Sequence, residues 1–128
     1  MPEYKKFLLI GTALAALGVL LGAFAAHGLE KAVTDLRMLD RFETAVRYQF
    51  YHALGLILVF LLAKQGLASR LLQWSGRSMI AGILLFSGSL YIYVLSGTQW
   101  VVIFTPIGGV LFITAWILLF IAAWKHTS

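Results

Sequence analysis

The sequence predicts an all-α fold: a four-helix transmembrane bundle with an amphipathic interfacial helix between the first and second spanning helices. Three observations carry this. Residues 7–26, 48–63, 78–95 and 100–123 contain no Asp, Glu, Lys or Arg, and a bilayer core about 30 Å thick is crossed by roughly 20 helical residues. Hydrophobic residues make up 61% of the 128 and charged residues 12%, against about 45–50% and 25% in soluble domains, so charges are too few to cover a globule in water. Between the first two stretches, apolar residues recur at helical spacing. One integral membrane domain over 1–128 is expected, because no linker, low-complexity tract or repeat divides the chain.

The first span is placed at about residues 7–26. Lys5 and Lys6 before an apolar run that ends near Ala23-Phe24-Ala25 have the outline of a secretory signal, but the run exceeds the h-region length of about 7–15 residues, and an uncleaved helix is expected. Gly11, Ala15, Gly18, Gly22 and Ala26 fall on one stripe of that helix, which lets a neighbouring helix approach closely inside the bundle.

The next element, about 29–45, is amphipathic. Leu29, Val33, Leu36, Leu39, Phe42 and Val46 recur every three or four positions with charged residues between them, the pattern of a helix lying at the membrane surface or capping the bundle. Lys31 with Asp35, and Glu43 with Arg47, stand at i,i+4 pairing distance. With neither Gly nor Pro between Leu29 and Leu54, the helix is expected to run unbroken into the second span at about 46–64.

The third span is placed at 77–95 and the fourth at 105–124. Thr105 is read as the N-cap of the fourth helix and Pro106 as its first residue. Residues 100–104, rich in β-branched and aromatic side chains, are then an extended surface segment. Counting Lys and Arg by side gives six (Lys5, Lys6, Lys64, Arg70, Arg77, Lys125) against four (Lys31, Arg37, Arg41, Arg47), which puts both termini in the cytoplasm. Trp74 and Trp124 mark one interface; Trp100, Tyr48 and Tyr51 mark the other.

Charge and composition exclude several functions. The net charge of +5 is spread over helix ends, which orients a membrane protein rather than tracking nucleic-acid phosphates. With no cysteine, disulfides, thiolate metal sites and cysteine nucleophiles are impossible. No zinc-protease, nucleophile-elbow, phosphate-loop or haem-attachment pattern is present. No cofactor and no metal are expected, since two imidazoles with Glu43 on another face do not supply three convergent ligands.

Polar residues inside spans are costly and therefore informative. His27, Arg47, Gln49, His52, Ser89, Tyr91 and Thr105, with Ser87 nearby, all fall toward the extracytoplasmic side and form the candidate ligand-binding set. On the second helix Arg41, Tyr48, Gln49 and His52 share a face, while Glu43 and Arg47 point the other way. The expected helix start at Thr105-Pro106, followed by Gly108 and Gly109, would offer free amides and a positive dipole end to an anionic or polar group. Against this, buried serines and glutamines commonly hydrogen-bond between helices and hold them together.

The segments GAFAAHGL (22–29), RFETAVRYQFYHALGLI (41–57), GILLFSGSLYIYVLSG (82–97) and TPIGGVLFITAW (105–116) resemble the YgdD/YwdK-like family of small bacterial inner-membrane proteins, which has small eukaryotic transmembrane relatives. The resemblance covers nearly the whole chain in order and spacing. It implies a four-helix integral protein of the bacterial plasma membrane, with no established activity, substrate or cofactor. Its signature positions here are Gly22, His27, Glu43, Tyr48, Gln49, His52, Ser87, Gly88, Ser89, Tyr91, Thr105, Pro106, Gly108 and Gly109. Ala25 and Ala115 stand where the family usually has glycine, and both keep a small residue. Gly88, Gly108 and Gly109 join the first-helix stripe as expected packing positions.

The function expected is a non-enzymatic binding or accessory role at the extracytoplasmic polar cluster. Membrane lipid, another membrane protein or a second copy of the chain are the partners, and nucleic acid is not. An oligomeric small-molecule or ion transporter is the first alternative. An intramembrane enzyme is the second, and it requires His52 beside a carboxylate.

Overall fold

The computed structural model describes residues 2–126. Four helices are long and apolar enough to cross a bilayer: α1 (Glu3–Ala32), α2 (Leu36–Leu67), α3 (Arg70–Ser96) and α4 (Gln99–Lys125). Each exceeds the roughly 20 residues a bilayer requires, so helical structure continues past the hydrocarbon into the head-group region.

The helix ends follow from local chemistry. Asp35 takes an extended conformation and its Oδ1 accepts from the Arg37 amide at 2.9 Å, capping α2. Ser69 caps α3 in the same way, its Oγ accepting from the Leu72 amide at 3.2 Å. At the far ends, Gly66 (φ 99°) closes α2 and Gly97 (φ 74°) closes α3, left-handed positions that favour glycine.

The helix expected over 29–45 is divided. Ala25–Leu29 forms a wide π turn that carries α1 on to Ala32. The chain then breaks at residues 33–35, and everything from Leu36 belongs to α2. The break needs neither Gly nor Pro because Asp35 supplies a side-chain acceptor for a free amide, which lets a new helix begin. The pairing expected between Lys31 and Asp35 straddles this break, and Asp35 instead lies 3.5 Å from Arg37 Nε.

The segment expected to be extended at 100–104 is also different. Gln99–Ile103 is a 3₁₀ turn leading directly into the α-helix that begins at Phe104. Pro106 has no amide to give Val102, four residues earlier. The Phe104 amide reaches both Val101 O and Val102 O, so the tighter turn satisfies the carbonyl that proline would orphan.

Packing joins α1 to α2 and α3 to α4, with α2 and α3 between them. Gly11 lies against the Ala53 carbonyl and Leu56, Gly18 against Phe50, and Gly22 near Val46; Ala15 beside them is half-buried. At Gly108 any Cβ would run into the Phe86 backbone, and Gly82 lies under the Phe112 ring. Gly88 has no atom within 4 Å of where a Cβ would stand, and Gly109 has only the Phe86 ring at 3.9 Å, so neither serves the close helix contact expected of it.

Tyr4, Phe7, Leu56, Val59, Leu72 and Met79 centre the buried core. It lies toward the end that holds Tyr4 and His126. There the Tyr4 hydroxyl donates to Ser69 O at 2.9 Å and accepts from the Ser69 amide at 3.0 Å, and His126 lies over Gly66. The outward faces are as apolar as the interior: Leu20 is 68% exposed, Leu84 67% and Phe120 65%. Apolar surface on that scale is stable against hydrocarbon and not against water.

Candidate functional site

Helical spacing brings Tyr48, Gln49 and His52 to the side of α2 that faces the other helices. Gln49 is almost wholly buried. Its Nε2 donates to the Leu14 carbonyl on α1 at 2.9 Å, and its Oε1 accepts from the Tyr91 hydroxyl on α3 at 2.6 Å. One side chain thus ties three helices.

Two further contacts join α2, α3 and α4 in the halves away from Tyr4 and His126. Ser87 Oγ donates to the Ala45 carbonyl at 2.7 Å. Ser89 Oγ donates to Phe86 O at 2.9 Å and also meets Thr105 Oγ1. A hydroxyl has one proton, so the Thr105 hydroxyl is the donor to Ser89. Thr105 is therefore an interhelical tie rather than a helix cap, and its α4 end is occupied by the 3₁₀ turn; the free amides expected there are absent among the described residues.

His52 has both ring nitrogens engaged. Trp116 Nε1 donates to Nε2 at 3.0 Å, and Nδ1 lies 2.7 Å from the Tyr48 carbonyl. Because an indole can only donate and a carbonyl can only accept, the arrangement selects the neutral ring protonated at Nδ1. The imidazole stacks on Phe112 with centroids 3.6 Å apart and planes 9° apart.

The remaining candidates lie elsewhere. His27 is exposed in the wide turn of α1. Arg47 is exposed, donates to Thr44 Oγ1 at 3.1 Å rather than pairing with Glu43, and with Glu43 lines a shallow groove against Gly22, Ala25 and Ala26. The set expected to converge is thus three separate ties, Gln49–Tyr91, Ser89–Thr105 and His52–Trp116, with His27 and Arg47 outside them. Among the described residues no buried side-chain nitrogen or oxygen lacks a partner, and no group of three His, Asp or Glu could hold a metal.

Sequence reasoning missed several contributors. Ser75 is fully buried and donates to Ala115 O at 2.7 Å, and Tyr4 and Trp116 make the bonds described above. Their partners are on other helices, and a local pattern carries no sign of them. Arg41, expected on the Tyr48 face, lies outside the expected ligand set. Its guanidinium lies 5.5 Å from the Tyr93 ring centre and 3.8 Å from Met38 Sδ. It lines an open groove of about 650 Å³ together with Leu90, Tyr93, Gln99, Trp100 and Thr105. A second crevice of about 500 Å³, mostly apolar, runs past Tyr48, His52, Phe86, Gly109 and Trp116.

Four apolar helices with exposed aliphatic faces and an interior polar network define a small α-helical integral membrane protein. The chain belongs to the family described as "Protein of unknown function (DUF423)", which matches residues 21–109. Its relatives carry the membrane in their names. It is 47% identical to the UPF0382 membrane protein YwdK of Bacillus subtilis (strain 168), over 95% of this chain and 98% of that one. It is 44% identical to the UPF0382 membrane protein SAB0533 of Staphylococcus aureus (strain bovine RF122 / ET3-1), over 97% and 99%. With the UPF0382 membrane protein SH2409 of Staphylococcus haemolyticus (strain JCSC1435) the identity is 40%, over the same shares. No solved structure matches. The resemblance to the YwdK-like family holds.

Proposed function

We propose that this is a multi-pass protein of the bacterial cytoplasmic membrane, with both termini inside, that acts as a non-enzymatic binding or accessory protein through its extracytoplasmic end. The orientation rests on the six-to-four distribution of Lys and Arg. The reading is supported by Tyr4 and His126 lying with the 64–70 turn, and by Val33 and Val94 packing in one cluster away from it.

One observation carries the binding reading: the open groove that holds the half-buried Arg41. Unlike the three ties, whose polar atoms already bond one another, it presents a cation without an acidic partner among the described residues. Other features agree. His52 has both nitrogens occupied and Glu43 lies with Arg47 beside α1, which supports binding over acid–base chemistry. The core around Phe7, Leu56 and Met79 fills the cytoplasmic half with apolar side chains, which supports binding over a monomeric pore.

The test is melting of the detergent-solubilised chain against a panel of phospholipids, quinones and divalent metals. A stabilising shift with at least one class is expected, because a ligand that prefers the folded state raises the melting temperature by mass action. Flat melting across the whole panel refutes the binding reading.

A further inference from the structure

We propose that the Arg41 groove is a lipid site that holds the phosphate of an anionic phospholipid from the extracytoplasmic leaflet. The inference rests on the binding reading above and names its ligand.

Arginine in a partly buried place normally pairs with a carboxylate. Arg41 does not: the ion pair within 4.0 Å among the described residues is Arg37 with Asp35. Asp40 and Glu43 are one and two positions away on α2, and helical turning sends such neighbours to other faces, while Asp35, whose carboxyl feels the Arg41 charge, is engaged by Arg37. The Tyr93 ring covers one face of the guanidinium, a contact worth little beside full ion pairing. The planar fork is left with donors for an anion, and phosphate oxygens match its geometry.

The groove around it has two characters. Gln99 and Tyr93 bring polar ends, while Leu90 and Val102 form apolar wall. Thr105 has given its proton to Ser89, so anion donation falls to Arg41, the Gln99 amide, the Tyr93 hydroxyl and the Trp100 indole. Trp100 is 67% exposed and Ile103 60%, which places the mouth at the aromatic belt where head groups meet hydrocarbon. A free phosphate would use only the polar half. A lipid uses both, with its phosphate at Arg41 and its glycerol and chains against Leu90 and Val102.

The chemistry also selects the head group. The lining contains no Asp or Glu, so a choline or ethanolamine ammonium finds no carboxylate, whereas a head group with net negative charge leaves nothing unpaired. The aromatic crevice past Tyr48, Pro106 and Gly109 has a separate lining along α4, so the chains are held by the Leu90 and Val102 wall.

The experiment is native mass spectrometry of the full chain released from micelles holding equal amounts of phosphatidylglycerol and phosphatidylcholine with identical chains. Wild type retains phosphatidylglycerol in preference by roughly tenfold, the effect of one charge-assisted contact. Arg41→Gln brings the two lipids to parity. Val102→Trp fills the apolar wall without touching the guanidinium and does the same, which covers the case in which Arg41→Gln fails to fold. Lys31→Gln removes an exposed cation at the same end and keeps the preference, so general charge is not its source. Equal retention of both lipids by wild type, or a preference that survives both Arg41→Gln and Val102→Trp, overturns the assignment. Melting raised by millimolar inorganic phosphate as much as by phosphatidylglycerol overturns the lipid as the source of the phosphate. A chain without lipid preference that still melts higher with a quinone or a metal loses this inference and keeps the binding reading.

Discussion

Replacing Gln49 with leucine tests the tie at the centre of the bundle. Leucine keeps most of the side-chain volume, so the cost comes from lost hydrogen bonds and not from a cavity. Gln49 makes two, at 2.9 Å to Leu14 O and at 2.6 Å from the Tyr91 hydroxyl. Interhelical hydrogen bonds in membranes average about 0.6 kcal/mol and reach about 1.7, so the pair contributes about 1–3 kcal/mol. Near-complete burial of Gln49 leaves no water to replace either bond and argues for the middle of that range. Tyr91→Phe removes a single bond and costs about 0.6 kcal/mol. In Gln49→Leu the Tyr91 hydroxyl loses its acceptor, and adding Tyr91→Phe removes that stranded group. The double variant is therefore no less stable than Gln49→Leu alone. Unfolding by SDS in mixed micelles, followed by helix content, gives the three free energies. Additivity of the two substitutions within about 0.3 kcal/mol would mean the residues do not interact, and the reading of Gln49 as a three-helix tie would be wrong.

Other outcomes follow from the same geometry. Gly108→Ala drives a methyl into the Phe86 backbone and costs about 1–3 kcal/mol in the same assay, whereas Gly88→Ala, with open space around it, stabilises by about 0.5–1 kcal/mol through helix propensity. Asp35→Ala removes the α2 cap and lowers the melting temperature. The Arg37 amide bond to Asp35 holds its carboxyl below the usual 3.8, so the cap's contribution is full above 3.8 and fades as pH falls through the lower folded value; the melting difference between wild type and Asp35→Ala should shrink over that acid range and not at neutral pH. Because the chain has no cysteine, single cysteines report orientation cleanly. Thr98→Cys should react with an impermeant maleimide in intact cells and Ala68→Cys only after permeabilisation, and the reverse pattern would invert the topology.

What could be read from sequence was set by the range of each effect. Four spans were legible because crossing hydrocarbon imposes a length of apolar residues regardless of neighbours. The packing side of α1 was visible in the spacing of Gly11, Gly18 and Gly22, since a stripe is a property of one helix. Gly55 against Met79, Gly76 against Phe7 and Gly82 against Phe112 were invisible, because each is small only to admit a bulky side chain from elsewhere. Helix ends misled for a different reason. Beyond the hydrocarbon the selecting force is capping, so one carboxylate at Asp35 outweighed an unbroken amphipathic period, and one missing amide at Pro106 converted an expected extended segment into a 3₁₀ turn. The polar positions stood out in sequence because polar groups inside spans are costly. Their partners, a carbonyl on α1 or a hydroxyl on α4, depend on which helices adjoin.

That same dependence separates the residues that build this protein from those free to act. A glutamine, two serines, a threonine and a histidine within spans suggest a site as long as they are viewed singly. Once paired each is engaged between helices or within one: Gln49 by Leu14 and Tyr91, Ser87 by Ala45, Ser89 by Thr105, His52 by Tyr48 and Trp116. A ligand that recruited them would have to break bonds that hold α1 through α4 together, and would destabilise the fold it bound. Arg41 is subject to no such penalty. Its side chain is half-buried without an ion pair within 4.0 Å among the described residues, and its contacts are an aromatic face and a thioether. Binding an anion there would leave every interhelical bond in place, and this asymmetry is the ground for proposing recognition at the groove mouth and not within the polar interior.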